Sequence, residues 1–528
     1  MSRSRFRAAA AALVLVAAVL RFWALDVGLP HLMARPDDEA VLVMTEKPAR
    51  GQWDVGWAVY PSAYVYLCWL WGAAGARVGQ AVGAVPAGSY LELLYAHPDR
   101  LLLLDRVLSA TLGTATVAVV AAVARPALGE PAALAAAALL ATAFLHVRDS
   151  HSLKPDVALA FLAVVALGAM APLWRRATAR AAAGAGAAVG LATAMKYPGV
   201  LLLAPLALAA GVGGAARGRP RLRVGPLAAG LAAAAAVFVA TSPFLLVNAG
   251  TRAFLGYLVH LAIGAPPAAP ATPSPPPALL YHATVSLPWG IGLLATVLAP
   301  VAIGWAFVDR RPLLVVAAVF VLVWFAVMGM ATQRLSRYVT PLVPALALVE
   351  GAAVAAAAAR LAPRRAALVA TLATAALVAQ PLAASVAHDR IAARTDTRVL
   401  ATRWMAAHLP PGSRVAVLGT RYWIWGVPQF PPGIAGVTPD DPSPAGLAAA
   451  HVDHVLTHDH AVFASRLDPA VMAALAPHLR PLADFDPFVP GRGGAVFELD
   501  DAYYVPIGRF GAVARPGPHI RIFAFEGR

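Results

Sequence analysis

Three consecutive acidic residues, Asp37, Asp38 and Glu39, form the first stretch of the sequence in which side chains could do chemistry. They follow Arg35-Pro36 and the first hydrophobic segment, in a chain of which only 13% of the residues are charged. Adjacent carboxylates repel each other, so one is expected to have a raised pKa unless a cation or a substrate proton lies beside it. That arrangement suits a general base or a group that holds a cation. A plain helix start is the alternative interpretation, because Asp before Glu-Ala-Val-Leu is a good N-cap.

Composition places these residues in a membrane protein. The chain has 528 residues, of which 60% are hydrophobic, and its mean hydropathy is +0.68. A soluble protein of this length could not hide so much apolar surface in its core. The single cysteine, Cys68, excludes an internal disulfide and a cysteine-based metal site. The formal net charge of +15 lies mostly in short loops between hydrophobic segments, so it indicates membrane topology rather than nucleic-acid binding.

The apolar segments predict an all-α polytopic membrane domain. Those that approach the ~20 residues of a bilayer span are 8–25, 101–124, 132–145, 157–174, 181–195, 200–213, 226–247, 285–308, 312–330, 338–359 and 366–386. The first follows three arginines as a signal peptide would, but no convincing cleavage site precedes Asp26, so we interpret it as a retained helix. Gly186 and Gly190 have the small-xxx-small spacing that lets two membrane helices approach closely.

Segment 60–78 decides the topology, because its many tyrosines and tryptophans are typical of the membrane–water interface. Basic residues cluster at Arg3/Arg5/Arg7, Arg175/Arg176/Arg180, Arg217/Arg219/Arg221/Arg223, Arg310/Arg311 and Arg360/Arg364/Arg365. If 60–78 does not cross the membrane, every cluster lies on the cytoplasmic side; if it crosses, all but the first lie outside. We therefore predict an interfacial helix at 60–78, about eleven spans, a cytoplasmic N-terminus and an extracytoplasmic C-terminus.

This topology gathers the unusual polar residues on the outer face. Besides Asp37, Asp38 and Glu39, the candidates for substrate contacts are Arg148, His151, Asp156, Lys196, Arg334 and Arg337. Cations at outer helix ends oppose the positive-inside trend, and snorkelling to lipid headgroups is the simple explanation for any one of them. For Lys196, Arg334 and Arg337 together, on the same face as the acids, a bound phosphate is the better explanation.

The character of the sequence changes after residue 387. Segment 389–528 is less apolar and predicts a small soluble α/β domain, with helices at 396–408, 444–451 and 469–479 and strands at 414–419, 452–457, 495–499 and 520–525. We expect two domains, a membrane domain at 1–388, whose outer loop 26–100 carries the acidic motif, and an extracytoplasmic domain at 389–528. His454, His458 and His460 share a face of the predicted strand, but such runs also arise by accident, so we assign no residue to a metal.

Several short motifs together resemble the polytopic GT-C glycosyltransferases of family 39, which include protein O-mannosyltransferases and enzymes that move aminoarabinose onto lipid A. That family has an Asp-Glu pair after proline in the first outer loop, where this chain has Asp38-Glu39 behind Pro36-Asp37. The family often has a second acidic site in the next outer loop, and Asp156 in Lys154-Pro-Asp-Val resembles it. Lys196-Tyr-Pro-Gly resembles the family's lysine-containing turn. Arg337-Tyr-x-x-Pro-x-x-Pro resembles a motif that the family has late in its chain.

The resemblance implies an inverting transferase of a hexose or pentose. Its donor would be a polyprenyl-phosphate-linked sugar and its acceptor a protein, lipid or glycan, outside a bacterial cytoplasmic membrane. Asp38 and Glu39 would be catalytic and Asp37 would contact substrate, although the extra aspartate leaves open whether Asp37 or Asp38 is the base. No cofactor is assigned. A divalent metal stays open, but the family's Glu-Lys-Pro ligand position reads Val59-Tyr-Pro here.

A transporter or flippase for a lipid-linked or small anionic solute is the alternative. It predicts ionisable residues deep within spans, or broken helices in two matching halves. The sequence instead places the charges at the ends of the spans, and the outer domain has no repeated partner. Both observations favour the enzyme.

Overall fold

The structure is a computed structural model that describes residues 3–56, 58–213, 222–263, 277–419 and 424–527. Three arginines of one predicted basic cluster, Arg217, Arg219 and Arg221, lie outside the described residues, as does nearly all of the proline-rich segment 265–277. Contacts divide the chain into two compact units. The first consists of Met1–Phe22 and Ala40–Ser385, and the second of Trp23–Glu39 and Val386–Arg528. The acidic motif therefore packs with the C-terminal region.

Helices build the first unit, because long runs of Ala, Leu and Val are broken only by short polar or proline-containing turns. The main helices up to the end of the apolar region are Arg3–Phe22, Ser62–Ala81, Pro98–Leu128, Glu130–Thr142, Pro155–Met170, Ala179–Met195, Val224–Thr241, Ala249–Ile263, Leu293–Asp309, Pro312–Met328, Val343–Leu361 and Ala366–Ala392. Shorter ones include Asp38–Met44, Tyr90–Ala96 and Phe144–Asp149. All eleven predicted apolar segments lie largely in helices.

By length and composition, the described helices that could cross a membrane are fewer than the eleven or so spans that the sequence predicts. Within the described residues, five helices are long and apolar enough to cross a membrane: Pro98–Leu128, Pro155–Trp174, Val224–Thr241, Ser336–Leu361 and Pro363–His408. A sixth is added if Ala278–Gly290 and Leu293–Asp309, bent by 119° at their junction, form one span. The predicted count of about eleven is thus not confirmed. Ser62–Ala81 confirms a helix at 60–78, whereas its place at the membrane surface stays a prediction.

Close helix packing explains the spacing of Gly186 and Gly190. Both lie on Ala179–Met195, which packs along Val224–Thr241. A Cβ atom added at Gly186 would lie 2.0 Å from the carbonyl oxygen of Gly230, and one at Gly190 would lie 2.4 Å from that of Ala234. Because these neighbours are backbone atoms, the two helices could not keep their separation with larger residues. The predicted small-xxx-small contact is confirmed.

A buried glutamate contradicts the expectation that ionisable residues keep to the ends of spans. Glu350 lies within Val343–Leu361 and is 2% exposed. It lines a small cavity with Leu139, Ala295 and Val343, and its Oε1 atom has no hydrogen-bond partner among the described residues. The sequence does not single out Glu350, because one Glu leaves the run 338–359 strongly apolar.

A five-stranded mixed sheet forms the centre of the second unit. Its strands are β1 (Arg414–Leu418), β2 (Ala435–Val437), β3 (His454–Asp459), β4 (Leu479–Phe485) and β5 (His519–Phe525), in the order β2-β1-β3-β5-β4. β1 is parallel to β2 and β3, and β5 is antiparallel to β3 and β4. Helices Thr397–His408, Pro444–Ala449 and Pro469–Leu475 cover the sheet, where alternating Val, Leu and Ile side chains are buried on both faces.

Most predicted elements of this unit are present, but the short strand β2 was not predicted and two further segments differ. No strand forms at 495–499, where Val496 makes only an isolated bridge to Gly508. The glycines at 491, 493 and 494 favour irregular backbone before that point. Conversely, the sequence predicted no strand at β4, which follows the predicted helix 469–479. β4 holds Pro481, which lacks a ladder donor and is tolerated here because β4 is an edge strand with a register shift beside it.

Candidate active-site residues

A tight turn sets the direction of the acidic motif. Asp37 has a left-handed backbone (φ 67°), and the amide of Asp38 donates to the carbonyl of Arg35. Helix Asp38–Met44 begins directly after this turn, so both the chemical and the helix-start interpretation of the motif describe the same residues. Asp38 is fully buried, whereas Asp37 and Glu39 are partly exposed. Left-handed backbone at a non-glycine residue is uncommon and is often found at functional sites.

Glu39 is the member of the motif whose pKa is raised, to about 7. The main cause is burial, and the charges of Asp38 and Asp37 add to it. The indole Nε1 of Trp425 donates a hydrogen bond of 3.1 Å to Glu39 Oε1, which works in the opposite direction. The sequence predicted one raised pKa in the run from repulsion, but desolvation contributes more.

A buried ion pair contacts the backbone of Trp425. Arg398 binds Asp396 with two contacts, Nε to Oδ1 at 2.9 Å and Nη2 to Oδ2 at 2.6 Å, and its Nη1 donates to the carbonyl of Trp425. Burial alone would raise the pKa of Asp396, but Arg398 outweighs it and holds that pKa below its usual range. Asp396 also caps helix Thr397–His408. A chain of contacts thus runs from this helix start to Glu39.

The other end of the motif is held by an aromatic ring. The Arg35 guanidinium carbon lies 3.9 Å from the ring centroid of Tyr503, within the range of a cation–π interaction. The Tyr503 hydroxyl lies 2.9 Å from His388 Nε2, and His388 Nδ1 lies 2.9 Å from Asp389 Oδ1. Trp425 and Tyr503 were not predicted, because nothing in a linear pattern relates positions at least 386 residues apart.

Within the first unit, the predicted cation site is built around Lys196. Its ammonium lies 2.7 Å from Asp156 Oδ1 and 5.4 Å from the ring centroid of Tyr338. Asp156 stands in the first turn of Pro155–Met170, and Lys196 directly follows Ala179–Met195. Tyr338 belongs to the 3-10 helix Ser336–Leu342, which also holds Arg337. The structure therefore brings Asp156 and Lys196 together beside the late Arg-Tyr motif.

Arg148 reaches the same 3-10 helix through its neighbour. Its Nε lies 3.0 Å from Asp149 Oδ1, and the hydroxyl of Thr340 donates to the other oxygen of Asp149. Both Arg148 and Asp149 are almost fully buried. His151 is also buried, with Nδ1 2.9 Å from the carbonyl oxygen of Val147. Because both side chains are buried and make internal contacts, Arg148 and His151 are placed to hold neighbouring residues in position more than to contact a substrate directly.

Hydroxyl and imidazole groups lie next to Arg337 and were not predicted. His282 Nδ1 lies 2.9 Å from Ser286 Oγ, which in turn donates to Ser336 Oγ at 3.2 Å. His282 and Ser286 bound a π-helical turn, a feature that is frequent at functional sites. Arg334 and Arg337 are partly exposed. No sequence signal marks His282, because π-turns have no strong local pattern.

The described residues contain no group of three or more His, Cys, Asp or Glu side chains that could hold a metal ion. In the histidine run, His458 is bonded to the hydroxyl of Ser465, and His460 is stacked on Phe488 at 5.5 Å between centroids. Burial lowers the pKa of His458 to about 4 and that of His460 to about 3. Both are neutral core residues of the second unit.

Comparison with known proteins agrees with this architecture. Residues 105–246, about a quarter of the chain, match the family model of dolichyl-phosphate-mannose-protein mannosyltransferases. No curated protein sequence matches the chain. The crystal structure of ArnT from Cupriavidus metallidurans bound to undecaprenyl phosphate is similar in fold, with a TM-score of 0.53, 16% identity and coverage of 97% of both chains.

A second group of solved structures has the same fold. The oligosaccharyltransferase of Archaeoglobus fulgidus in its apo form gives a TM-score of 0.56 at 12% identity, covering 99% of this chain and 89% of that one. The archaeal oligosaccharyltransferase AglB from the same organism, in complex with an inhibitory peptide and a dolichol-phosphate, gives 0.51 at 12% identity, over 86% and 69%. The chain has the GT-C glycosyltransferase fold. Its resemblance to family 39 is confirmed, and its apolar helices identify an integral membrane protein.

Proposed function

We propose that the chain is a membrane glycosyltransferase that moves a sugar from a polyprenyl-phosphate-linked donor to an acceptor on the extracytoplasmic side. The observation that carries the proposal is the similarity in fold to ArnT bound to undecaprenyl phosphate, over nearly the full length of both chains. The acceptor belongs to the proteins, lipids or glycans of the cell envelope. Glycosyl transfer needs a base for the acceptor hydroxyl and positive charge for the departing phosphate, and the chain offers residues for both tasks.

Asp38 is the proposed general base. It takes the proton of the acceptor hydroxyl while that oxygen forms a bond to the anomeric carbon of the sugar. The bond from that carbon to the phosphate oxygen breaks on the opposite face, so the configuration inverts. Polyprenyl phosphate leaves with the bonding electrons. Asp37 remains the alternative base, because it is partly exposed and its left-handed backbone directs it differently from Asp38.

Lys196 and Arg337 are the proposed phosphate contacts, because charge on the phosphate grows as the sugar–phosphate bond breaks. Asp156 would then act through Lys196, holding its ammonium in place at 2.7 Å rather than touching the donor. Trp425 would act in the same way on Glu39, since its indole N–H favours the ionised form of that carboxylate.

Donor turnover tests the proposal directly. The purified full-length chain would be incubated with polyprenyl-phosphate-linked hexoses and pentoses and an envelope extract as acceptor, and released polyprenyl phosphate would be measured. We expect acceptor-dependent release with at least one sugar, and a product with inverted anomeric configuration by NMR. Failure of the whole panel, together with no binding of undecaprenyl phosphate, would contradict the proposal.

A flippase for lipid-linked solutes is a second candidate, and one observation favours it. Glu350 is an ionisable residue within a span, which transport mechanisms often use. A fluorescent short-chain polyprenyl phosphate in proteoliposomes distinguishes the two functions. A flippase would move the probe between leaflets and lose this activity in Glu350→Gln. A transferase would leave its distribution unchanged.

A further inference from the structure

A cavity of about 500 Å³ opens in the first unit between three helix ends. It is bounded by the last turns of Pro98–Leu128, the 3-10 turn Ala171–Trp174 that follows Pro155–Met170, and the first residues of Pro312–Met328. Small side chains create the space, since Ala127, Gly168 and Ala171 lie on its wall. A proline is also present at each of the three elements that bound the cavity. Its walls are mainly apolar.

Two arginines give the cavity its charge. Arg311 is held in place, with Nε 2.6 Å from Asp309 Oδ1 and Nη1 donating to the carbonyl of Leu128 at 3.2 Å. Arg175 is exposed and makes no side-chain hydrogen bond or ion pair with any described residue. The cavity also lies at the N-terminal end of the 17-residue helix Pro312–Met328, where the helix dipole is positive. Among the described residues, no acidic side chain lines the cavity.

The position of the cavity separates it from the proposed donor site. Asp156 stands at the first turn of Pro155–Met170, whereas the cavity lies at the last turn of the same helix and the residues that follow it. Sixteen helical residues span about 24 Å. The helix lies in one of the segments suited to cross a membrane, Pro155–Trp174. The cavity is therefore at the opposite membrane boundary from Asp156 and Lys196.

We propose that this cavity binds a glycerophospholipid with an anionic headgroup. Arg175 and Arg311 would contact the phosphate, and an acyl chain would lie along the apolar wall. Basic pockets between membrane helices are suited to acidic lipid headgroups, and guanidinium groups bind phosphate with charge-assisted hydrogen bonds. If the ligand were a free phosphate instead of a lipid, the apolar wall of the cavity would stay exposed to water. The proposed lipid site takes no part in the proposed transfer reaction, and the proposal does not depend on that reaction.

Competition between lipids tests the proposal. The full-length chain would be purified in detergent, stripped of lipid and supplied with equal amounts of dioleoyl phosphatidylglycerol and dioleoyl phosphatidylcholine, and retained lipid would be counted by native mass spectrometry. We expect phosphatidylglycerol to be preferred by about tenfold or more. At roughly 1 kcal/mol for each basic residue, the Arg175→Gln/Arg311→Gln variant should bind it about ten- to hundredfold more weakly.

Matched variants separate a built site from general surface charge. Arg364→Gln/Arg365→Gln removes two exposed arginines that do not line the cavity, and it should keep the preference. Ala127→Trp fills the cavity without changing charge and should lose the lipid. Equal loss in both arginine pairs, or full retention in Ala127→Trp, would overturn the proposal. So would displacement of the lipid by millimolar glycerol phosphate, which would assign the site to a free phosphate.

Discussion

At the residue scale, Glu39 shows how surroundings set the chemistry of a carboxylate. Its pKa rises from 4.5 to about 7 mainly through burial, while the Trp425 indole N–H pulls it down. A carboxyl group whose folded-state pKa exceeds its unfolded value destabilises the folded state as pH rises from about 4.5 to about 7. Glu39 therefore titrates near neutral pH, and the Trp425 hydrogen bond favours its ionised form.

The Trp425→Phe variant tests this link. If ionised Glu39 supports transfer, activity should rise with pH through a midpoint near 7, and loss of the indole N–H should move that midpoint up by about one unit. In Glu39→Gln, activity should no longer rise with pH through this midpoint. The pH dependence of turnover is the measurement. A midpoint that does not move in Trp425→Phe would show that the contact serves only packing.

The cations of the first unit give a second prediction at this scale. Lys196→Ala and Arg337→Ala should each lose about 1.5–3 kcal/mol of transition-state stabilisation, roughly ten- to hundredfold, mainly in turnover. Arg252→Ala is the control, because Arg252 is an exposed arginine of the same unit outside this cluster. If both variants fold and keep full activity, these cations merely extend toward lipid headgroups.

At the scale of elements, the local sequence pattern predicted most helices, whereas contacts between distant segments could not be predicted. The sequence predicted a helix at 396–408 from the Pro410-Pro411-Gly412 stop that follows it, because such a stop signal is local, and the structure has Thr397–His408. It could not predict that Arg398 of that helix supports Trp425, which in turn contacts Glu39. Such contacts depend on tertiary packing between distant segments. The edge strand β4 was missed for a related reason, since Pro481 argues locally against a strand.

The pair Ala179–Met195 and Val224–Thr241 gives a matched prediction for elements. Gly186→Ala should destabilise the protein by about 1–3 kcal/mol, because its Cβ would meet the backbone of Gly230. Gly184→Ala on the same helix has nothing within 4 Å of the added Cβ and should be neutral or stabilising. Thermal unfolding in detergent compares the two. Equal effects would mean that helix propensity, not close approach, explains these glycines.

At the scale of the whole molecule, the fold is that of the GT-C glycosyltransferases, while the sidedness is a prediction from charge. Single cysteines introduced at Arg176 and Arg311 should be shielded from a membrane-impermeant reagent added outside, and one at His454 should react. The native Cys68 is buried and gives little background. Labelling of both arginine loops from outside would reverse the topology and make the helix Ser62–Ala81 a true span.

The central claim is that the acidic motif catalyses sugar transfer, and Asp38→Asn tests it most directly. With the polyprenyl-phosphate-linked sugar that the unmodified chain turns over, this variant should bind undecaprenyl phosphate normally and transfer at least roughly a hundredfold more slowly, because a general base contributes ~10²–10⁴-fold. Asp37→Asn should lose less. The reverse order would move the base to Asp37. Full activity in both variants would contradict the account and leave the motif as the start of a helix.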